Sequence, residues 1–367
     1  MMVDIRIVRL ARLIVEYSTE VKAKDEVLIT SPIIAKDLAR EIYKYCLMAG
    51  AYPSIQFYDE IVEEIYYKYA KENQLKHIPP HIETVMEKAN VLIRILATSN
   101  ARRLNRIDPE KIKTHNAARA PLMKKLMERE ARGELRWVVL PYPTPSMAQE
   151  AGLSTVDFED FVFRACHVDK EDPVSIWKKI HEQQEKYIKF LSKVDEIHIV
   201  GPETDLTLSV KGRKWINADG KKNMPDGEVF TSPIEDSANG TIKFTFPVLY
   251  RGFEMKGVKL KFRDGVIVEA CAAEGEAFLR KLIETDEGAK RLGEFAFGTN
   301  YEINVFTKEI LFDEKMGGTI HLAIGRGFPE TGGKNFSAIH VDMIKDMKEG
   351  KIYADGELIY AKGKFLI

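Results

Sequence analysis

The stretch Val91-Leu92-Ile93-Arg94-Ile95-Leu96 is an almost uninterrupted apolar run. It lies between two segments whose apolar residues recur at helical spacing, residues 82–89 and 109–132. A short apolar run between helices is typical of a strand that is buried in a parallel sheet. Similar strands, such as Glu26-Val27-Leu28-Ile29-Thr30 and Trp137-Val138-Val139-Leu140, alternate with helices through the first half of the chain. The sequence therefore predicts an α/β N-terminal domain with a doubly wound, mostly parallel sheet.

The second half of the chain has a different pattern. Residues 196–200, 206–210, 241–246 and 258–262 alternate between apolar and polar side chains, which indicates strands. Asp264-Gly265 predicts a hairpin turn, and residues 274–291 predict a helix. Because 367 residues are too many for one ordinary core, we expect two domains. We predict the α/β domain at residues 1–195 and a C-terminal β-rich α+β domain at residues 196–367.

Composition limits the classes of partner and compartment. Hydrophobic residues make up 45% of the chain, which excludes a disordered protein. A net charge of -1 predicts neither nucleic acid nor a membrane surface as the partner, and no apolar run is long enough to span a bilayer. Three widely separated cysteines predict a reducing compartment, and hence a cytoplasmic protein without a disulfide framework. The abundance of Lys and Glu favours a thermophile.

Side chains that can bind a metal are concentrated between residues 225 and 342. They lie in Gly-rich and strand-rich sequence, at Glu228, Glu294, Asp313, Glu314, His321, His340 and Asp342. A mixture of Glu, Asp and His suits a hard or borderline divalent cation. In a strand, residues i and i+2 point to the same face, so His340 and Asp342 could bind one ion together. This region therefore predicts a metal site in the C-terminal domain.

Each of these residues also has an ordinary interpretation. Glu228 follows a turn, where an exposed acid at the start of a strand is the commoner case. Glu294 precedes an apolar run, where a buried carboxylate would need a partner. His321 has Thr319 and Ala323 two positions away, a surface of small residues with room for an ion, although a single histidine on a strand is more often a core residue. Only the combination of segments favours a metal site.

The tripeptide His-Val-Asp occurs twice, which provides an internal control. The other copy is His167-Val168-Asp169, and it follows a segment with helical spacing that ends at Cys166. Residues i and i+2 do not face each other on a helix, so this copy predicts a helix end and no metal site. The copy at residues 340–342 indicates a metal site only because it lies in a strand.

Five segments in the same order resemble the aminopeptidase S/T family of two-metal exopeptidases, sometimes called thermophilic aminopeptidases. The resemblance spans about residues 225 to 342, and the N-terminal half agrees only in its general pattern of helices and strands. The segments are Gly227-Glu228-Val229-Phe230-Thr231-Ser232-Pro233, Asp286-Glu287-Gly288-Ala289-Lys290-Arg291-Leu292-Gly293-Glu294, Leu311-Phe312-Asp313-Glu314-Lys315, Thr319-Ile320-His321-Leu322-Ala323-Ile324-Gly325 and Ser337-Ala338-Ile339-His340-Val341-Asp342.

The resemblance implies an enzyme that removes N-terminal amino acids from peptides and works as a homodimer. It also implies two divalent ions, with zinc, cobalt, manganese or magnesium as candidates and Glu294 as the bridging ligand. The implied ligands are Glu228, Glu294, Glu314, His321, His340 and Asp342. This chain departs from the family at Phe328, where relatives usually carry Tyr. If that hydroxyl contacts the metals or the reacting group, reduced or altered activity is expected.

Two metals can polarise a scissile carbonyl, activate water and anchor a free α-amino group, which explains exopeptidase action. A carboxylate must then carry the water proton to the leaving amine. We assign this role of general base to Glu314, because flexible glycines rather than a rigid strand follow it. Two alternatives remain open at this point: a metal-dependent amidase for a non-peptide substrate, and a peptide-binding protein that retains metals but has weak activity.

Overall fold

The computed structural model describes residues 3–367, and the chain forms two compact units. One unit contains the chain up to Trp177 together with Gly220–Pro225, and the other contains Lys178–Asp219 and Asp226–Ile367. The units divide within the helix Pro173–Leu191, whereas the predicted boundary after residue 195 lies at the start of the strand Glu196–Gly201. In residues 3–367, no helix has both the length and the apolarity needed to span a membrane.

The first unit is built on a four-stranded sheet in which every pair of neighbours is parallel, in the order β2-β1-β3-β4. Its strands are β1 (Glu26–Pro32), β2 (Tyr52–Tyr58), β3 (Val91–Leu96) and β4 (Arg136–Pro141). The α-helices of the unit, with the one that continues into the second unit, are α1 (Ile5–Leu13), α2 (Lys36–Met48), α3 (Glu60–Tyr69), α4 (Glu72–Lys76), α5 (Pro80–Lys88), α6 (Pro109–Ala131), α7 (Pro145–Glu150), α8 (Thr155–Ala165) and α9 (Pro173–Leu191). A π-helical turn (Ile14–Ser18) extends α1, and a 3-10 turn (Ile33–Ala35) precedes α2.

The central strands of this sheet are buried, as their composition predicts. Val91, Ile93 and Ile95 of β3 are at most 1% exposed. The helix α8 ends at Ala165 with Cys166 as its C-cap, and His167 then adopts a positive φ of 57°. The first copy of the His-Val-Asp tripeptide therefore marks a helix end, as predicted.

The second unit is mainly antiparallel. An eight-stranded sheet has the order β13-β12-β9-β6-β5-β17-β18-β19, a five-stranded sheet has the order β16-β15-β14-β8-β7, and β10 pairs with β11. The strands are β5 (Glu196–Gly201), β6 (Thr204–Ser209), β7 (Ile216–Ala218), β8 (Glu228–Thr231), β9 (Asn239–Lys243), β10 (Val248–Tyr250), β11 (Phe253–Met255), β12 (Lys259–Arg263), β13 (Val266–Cys271), β14 (Leu292–Gly298), β15 (Thr319–Gly325), β16 (His340–Asp346), β17 (Lys351–Ala354), β18 (Glu357–Ala361) and β19 (Lys364–Phe365). The helices are α10 (Glu276–Ile283) and α11 (Ile310–Asp313), with 3-10 turns at Gly288–Lys290 and Pro329–Thr331. The fold class predicted from the sequence is confirmed in both units.

One hydrophobic core includes residues of both large sheets of the second unit. The five-stranded sheet contributes Phe295 and Phe297 from β14, Leu322 from β15 and Met343 from β16. In each of these strands the intervening residues point to the opposite face, because side chains alternate along a strand. The opposite face carries Glu294, His321 and Asp342. The same alternation that forms the core thus places the candidate ligands together on the other side of the sheet.

A β-bulge at Gly293 allows Leu292 and Glu294 to face opposite sides of the sheet. The register of β14 with β15 shifts there, so that Leu292 pairs with Ile324 and Glu294 pairs with Ala323. Without the bulge, two residues at positions i and i+2 would share one face. A side chain at Gly293 would place its Cβ 2.3 Å from the carbonyl oxygen of Arg326. Glycine is therefore required where the bulge turns Glu294 away from the core.

The predicted helix over residues 274–291 is too long. The helix α10 ends at Ile283, and Glu294 lies within the strand β14 rather than after a helix. The side chain of Asp286 accepts hydrogen bonds from the backbone N–H groups of Ala289 and Ala338, each at 2.8 Å. This carboxylate fixes a turn after α10, because it competes with the helical hydrogen bonds of the segment.

We expect Gly293→Ala to destabilise the second unit by about 3 kcal/mol, because the new methyl group must displace backbone rather than a flexible side chain. Urea unfolding of the metal-free protein measures this change. Gly201→Ala is the matched control, since its Cβ meets its nearest atoms at 3.5 Å and should change stability by less than about 0.5 kcal/mol. Equal stability of the two variants would contradict the proposed need for glycine in the bulge.

Candidate metal centre

Four neighbouring strands of the five-stranded sheet carry five of the six predicted ligands. Glu228 begins β8, Glu294 lies in β14, His321 in β15, and His340 and Asp342 in β16. Each ligand pairs across the sheet with a small residue. Ala323 lies between Glu294 and Asp342 in the register, and the other pairs are Ala296 with His321, Gly298 with Glu228 and Gly325 with His340. Small neighbours leave space above the sheet in which the longer side chains converge.

The two oxygens of Glu294 face the two histidines. Oε1 lies 3.6 Å from Nε2 of His321, and Oε2 lies 3.1 Å from Nε2 of His340. Asp342 Oδ1 lies 3.2 Å from the same nitrogen of His340, and Glu228 Oε2 lies 3.6 Å from Nε2 of His321. Glu294, His321 and Glu228 are at most 5% exposed. The structure thus brings these predicted residues into one cluster, in which His340 and Asp342 are half-buried and the others are buried.

Hydrogen bonds to the backbone orient both imidazoles. His321 Nδ1 lies 3.1 Å from the carbonyl oxygen of Glu314, and His340 Nδ1 lies 2.7 Å from that of Arg326. A carbonyl oxygen only accepts, so Nδ1 must carry the hydrogen in each ring. The Nε2 atoms then point at the carboxylates. This is the arrangement by which proteins orient histidine ligands of metals.

Glu314, the sixth predicted residue, follows α11 and joins the cluster from outside the sheet. Its carboxylate belongs with His321 and Asp342 to a group whose ligand atoms lie within 4.8 Å of one another. Glu294, His340 and Asp342 form a second such group, so the two groups share Asp342. Glu228 belongs to neither group.

Lys315 and Asp226 also belong to the cluster, although the sequence prediction assigned no role to either residue. The Nζ atom of Lys315 lies 2.6 Å from Glu228 Oε1, 2.5 Å from Glu314 Oε1 and 3.7 Å from Asp226 Oδ1. Lys315 is 2% exposed and Asp226 is 1% exposed. Lysine next to glutamate is common on protein surfaces, and no periodic pattern marks residues 314–316, so the sequence carried no signal that this lysine is buried.

Gln184 is another residue that the sequence prediction missed. It lies on α9, is 1% exposed, and its Nε2 group lies 3.1 Å from the carbonyl oxygens of both Ala218 and Glu228. Its Oε1 atom accepts a hydrogen bond from the Thr299 hydroxyl at 2.8 Å. These contacts hold the start of β8, and with it the backbone of Glu228.

Burial and mutual charge shift the pKa values of the cluster in opposite directions. Burial raises the pKa of Glu228 to about 8, against the opposing charge of Lys315. Burial alone would lower the pKa of the histidines, but neighbouring carboxylates raise that of His321 to about 10 and that of His340 to about 11. Burial would raise the pKa of Asp342, but the charge of His340 lowers it to about 2. In the metal-free protein, both imidazoles are therefore protonated near neutral pH.

The residues fit a divalent metal by their donor chemistry and by buried carboxylate oxygens that lack a hydrogen-bond partner, among them Asp342 Oδ1. Carboxylate oxygen and imidazole nitrogen suit zinc, manganese and related ions. Glu228 Oε2 is buried without a hydrogen-bond partner, although it faces the interior of the cluster. A buried carboxylate oxygen without a partner is costly, and a cation would satisfy it.

Phe328, where the family resemblance leads us to expect a tyrosine, lies beside the cluster. Its ring centroid is 5.1 Å from that of His340 and 5.2 Å from that of Phe230. Its backbone N–H donates a 3.0 Å hydrogen bond to the Ser232 hydroxyl. An apolar ring thus occupies the position next to His340, and it offers no hydroxyl to a ligand there.

The chain is similar to known proteins over nearly its whole length. The chain is 27% identical to aminopeptidase 2 of Geobacillus stearothermophilus, over 97% of this chain and 96% of the relative, and 26% identical to aminopeptidase T of Thermus thermophilus, over 95% of each. The solved structure of wild-type AmpT from Thermus thermophilus matches with a TM-score of 0.86 and 25% identity, covering 99% of both chains.

A family model described as thermophilic metalloprotease (M29) matches residues 3–365, which is nearly the whole chain. The family description agrees with the thermophile signature of the composition. The resemblance found in the sequence is confirmed, and so is the prediction of a hydrolase that removes N-terminal residues from peptides with the help of metal. The chain belongs to the thermophilic metalloprotease family (M29).

Proposed function

We propose that this aminopeptidase works with two divalent cations, which Glu228, Glu294, Glu314, His321, His340 and Asp342 hold. The observation that carries the proposal is the presence of two overlapping ligand groups, one containing His340 and the other containing His321. The two oxygens of Glu294 face these two histidines, which supports Glu294 as a bridging ligand. Asp342, common to both groups, is the second candidate for that role.

The charge of the cluster supports two divalent ions rather than one. Asp226, Glu228, Glu294, Glu314 and Asp342 are five carboxylates, and Lys315 is the one ammonium group that contacts three of them. With neutral histidines, four negative charges remain when the carboxylates are ionised. Two divalent cations carry the matching charge, and zinc, cobalt, manganese and magnesium are the candidates.

Two bound cations supply Lewis-acid polarisation of the scissile carbonyl and a water of lowered pKa. Hydrolysis also requires a proton to pass from the attacking water to the leaving amine, and we assign this step to Glu314, which would accept the proton and then donate it. Burial raises the pKa of Glu314, which favours a carboxylate that can hold a proton transiently. The free α-amino group of the peptide is the feature that a metal ligand position can select, which accounts for attack at the first peptide bond.

The proposal also includes a homodimer in the cytoplasm that acts on peptides without nucleic acid or membrane partners. All three cysteines are free thiols, which agrees with a reducing compartment. The near-zero net charge supports the absence of polyanionic partners. The dimer rests on the family resemblance alone.

Metal stoichiometry and substrate choice test the proposed function together. Protein reconstituted separately with cobalt, zinc, manganese or magnesium is expected to bind two ions per chain with at least one of these metals, and to hydrolyse aminoacyl anilides and dipeptides. N-acetylated versions of the same substrates are the control and should not react, because they lack the free amine. One ion per chain, or equal hydrolysis of acetylated substrates, would contradict the proposal. Two bound ions without hydrolysis of any substrate would favour a binding protein, with Phe328 as the first position to change.

We expect Glu314→Gln to lower kcat by about 100-fold or more, because general acid–base catalysis contributes about that much and Gln cannot carry the proton. Glu309→Gln is the control, since burial also raises the pKa of Glu309 but this residue lies outside both ligand groups. Steady-state kinetics on an aminoacyl anilide, with bound metal measured in each variant, gives the answer. Full turnover in Glu314→Gln with both ions retained shows that another group is the base.

Metal uptake should release protons. Both imidazoles are protonated in the metal-free protein near pH 7, because carboxylates raise their pKa values to about 10 and 11, and a ligand imidazole must be neutral. We therefore expect at least about two protons per chain to be released, and metal affinity to rise with pH. Calorimetric titration at about pH 7 in buffers with different ionisation enthalpies measures the count. A binding heat that does not depend on the buffer would rule out protonated histidines in the metal-free state.

A further inference from the structure

Lys315 lies inside the metal centre rather than at its edge. It follows Glu314 directly after α11, and its side chain is 2% exposed. Its Nζ atom contacts Glu228 and Glu314, two of the six proposed ligands, at 2.6 and 2.5 Å. Burying an ammonium group costs free energy unless the group is paired with opposite charge. The two ion pairs therefore hold the carboxylates of Glu228 and Glu314 in place as well as the lysine.

Lys315 engages one oxygen of each carboxylate and leaves the other available. Both contacts are made to Oε1. The Oε2 atom of Glu228 has no hydrogen-bond partner and lies 3.6 Å from His321 Nε2. A carboxylate held through one oxygen can rotate little about its terminal bond. The lysine thus aims the second oxygen of Glu228 at the interior of the cluster, where a cation would meet it.

The backbone at Lys315 is itself held in place. The N–H of Asn300 donates to the Lys315 carbonyl oxygen at 3.1 Å, and the side-chain amide of Asn300 donates to the Asp226 carbonyl oxygen at 2.9 Å. The carbonyl of Glu314 accepts from the His321 ring. One asparagine therefore joins the segment that carries Lys315 to the segment that carries Asp226, and the histidine ligand joins it to β15.

The contacts of Lys315 distinguish a lysine that acts on the substrate from one that positions the metal ligands. An ammonium group has three hydrogens, and carboxylates surround it on three sides: Glu228, Glu314 and, at 3.7 Å, Asp226. Its two hydrogen bonds go to Glu228 and Glu314, and the ammonium is buried among these acids. Lys315 is therefore placed to act through the ligands and not on the reacting peptide.

We propose that Lys315 is a positioning residue that fixes Glu228 and Glu314 so that each presents one oxygen to the metal centre. The proposal rests on the two-cation function described above. It assigns the lysine a contribution to metal affinity and coordination geometry. Partners that orient metal ligands typically contribute 10- to 100-fold to metal affinity or activity, so the expected effect is about that size.

Cobalt binding tests the proposal through a readout other than catalysis, because the visible absorption of cobalt reports its coordination geometry. Lys315→Met is expected to bind cobalt about 10- to 100-fold more weakly than wild type and with a changed spectrum. Lys345→Met is the matched control. Lys345 is also buried, at 3% exposure, but its ammonium donates to the carbonyl oxygens of Lys243 and Pro202, away from the proposed ligands. An unchanged affinity and spectrum in Lys315→Met overturns the proposal.

Lys315→Arg is the second variant, in case Lys315→Met does not fold. It keeps the positive charge but places the donors differently, since a guanidinium is a planar fork and an ammonium is a compact point charge. Positioning predicts a folded protein, by circular dichroism, with weaker cobalt binding and a shifted spectrum. A folded Lys315→Arg with the affinity and spectrum of wild type means that charge alone matters, and this overturns the proposal. Failure of both variants to fold even with saturating cobalt assigns Lys315 to the fold and overturns it as well.

The proposed function and the role of Lys315 can fail separately. Wild-type protein that binds fewer than two ions with each of cobalt, zinc, manganese and magnesium removes the two-cation function whatever the variants do. Wild-type protein that binds two ions, together with a Lys315→Met variant that binds them equally well, removes only the positioning role.

Discussion

The second unit buries several carboxylates close together, and its structure depends on how their negative charge is compensated. Two like charges about 4 Å apart repel by about 4 kcal/mol at an effective dielectric constant near 20. An oxygen of Asp342 lies within 4.8 Å of an oxygen of Glu294, and an oxygen of Asp342 lies within 4.8 Å of an oxygen of Glu314. In the metal-free state, Lys315 and two protonated histidines offset this negative charge. Burial also raises the pKa of Glu228 to about 8, so that the charge of Glu228 is partly removed. A cation that enters the site must therefore displace the protons that compensate the carboxylates in the metal-free state.

The five-stranded sheet provides both the core and the site because its two faces have different compositions. One face contributes Phe295, Phe297 and Leu322 to the core shared with the eight-stranded sheet. The other face carries Glu294, His321 and Asp342, with Ala323 paired to both carboxylates and Ala296 paired to the histidine. The rigidity of the core is thereby transmitted directly to the ligands, since they are neighbouring residues on the same hydrogen-bonded strands.

Local patterns in the sequence predicted much of this arrangement. The apolar runs at β1, β3 and β4 are long enough and uniform enough to identify a parallel sheet, and the alternation around His321 and His340 identifies strands with a polar face. The helix predicted over residues 274–291 failed because its end is fixed by Asp286, whose hydrogen-bond partner Ala338 is distant in sequence. The burial of Lys315 was missed for a related reason. Its partners Asp226 and Glu228 come from another part of the chain, and only the tertiary fold brings them together.

The small residues between the ligands have a consequence for the choice of metal. Glu294, Ala323 and Asp342 form one row across three hydrogen-bonded strands. Neighbouring strands in a sheet are about 4.8 Å apart, and this spacing is set by backbone hydrogen bonds rather than by side chains. A cation of a different radius therefore cannot draw the ligand backbones closer or push them apart without breaking the ladder. Discrimination between metals must come from side-chain rotation and from the preference of each ion for oxygen or nitrogen.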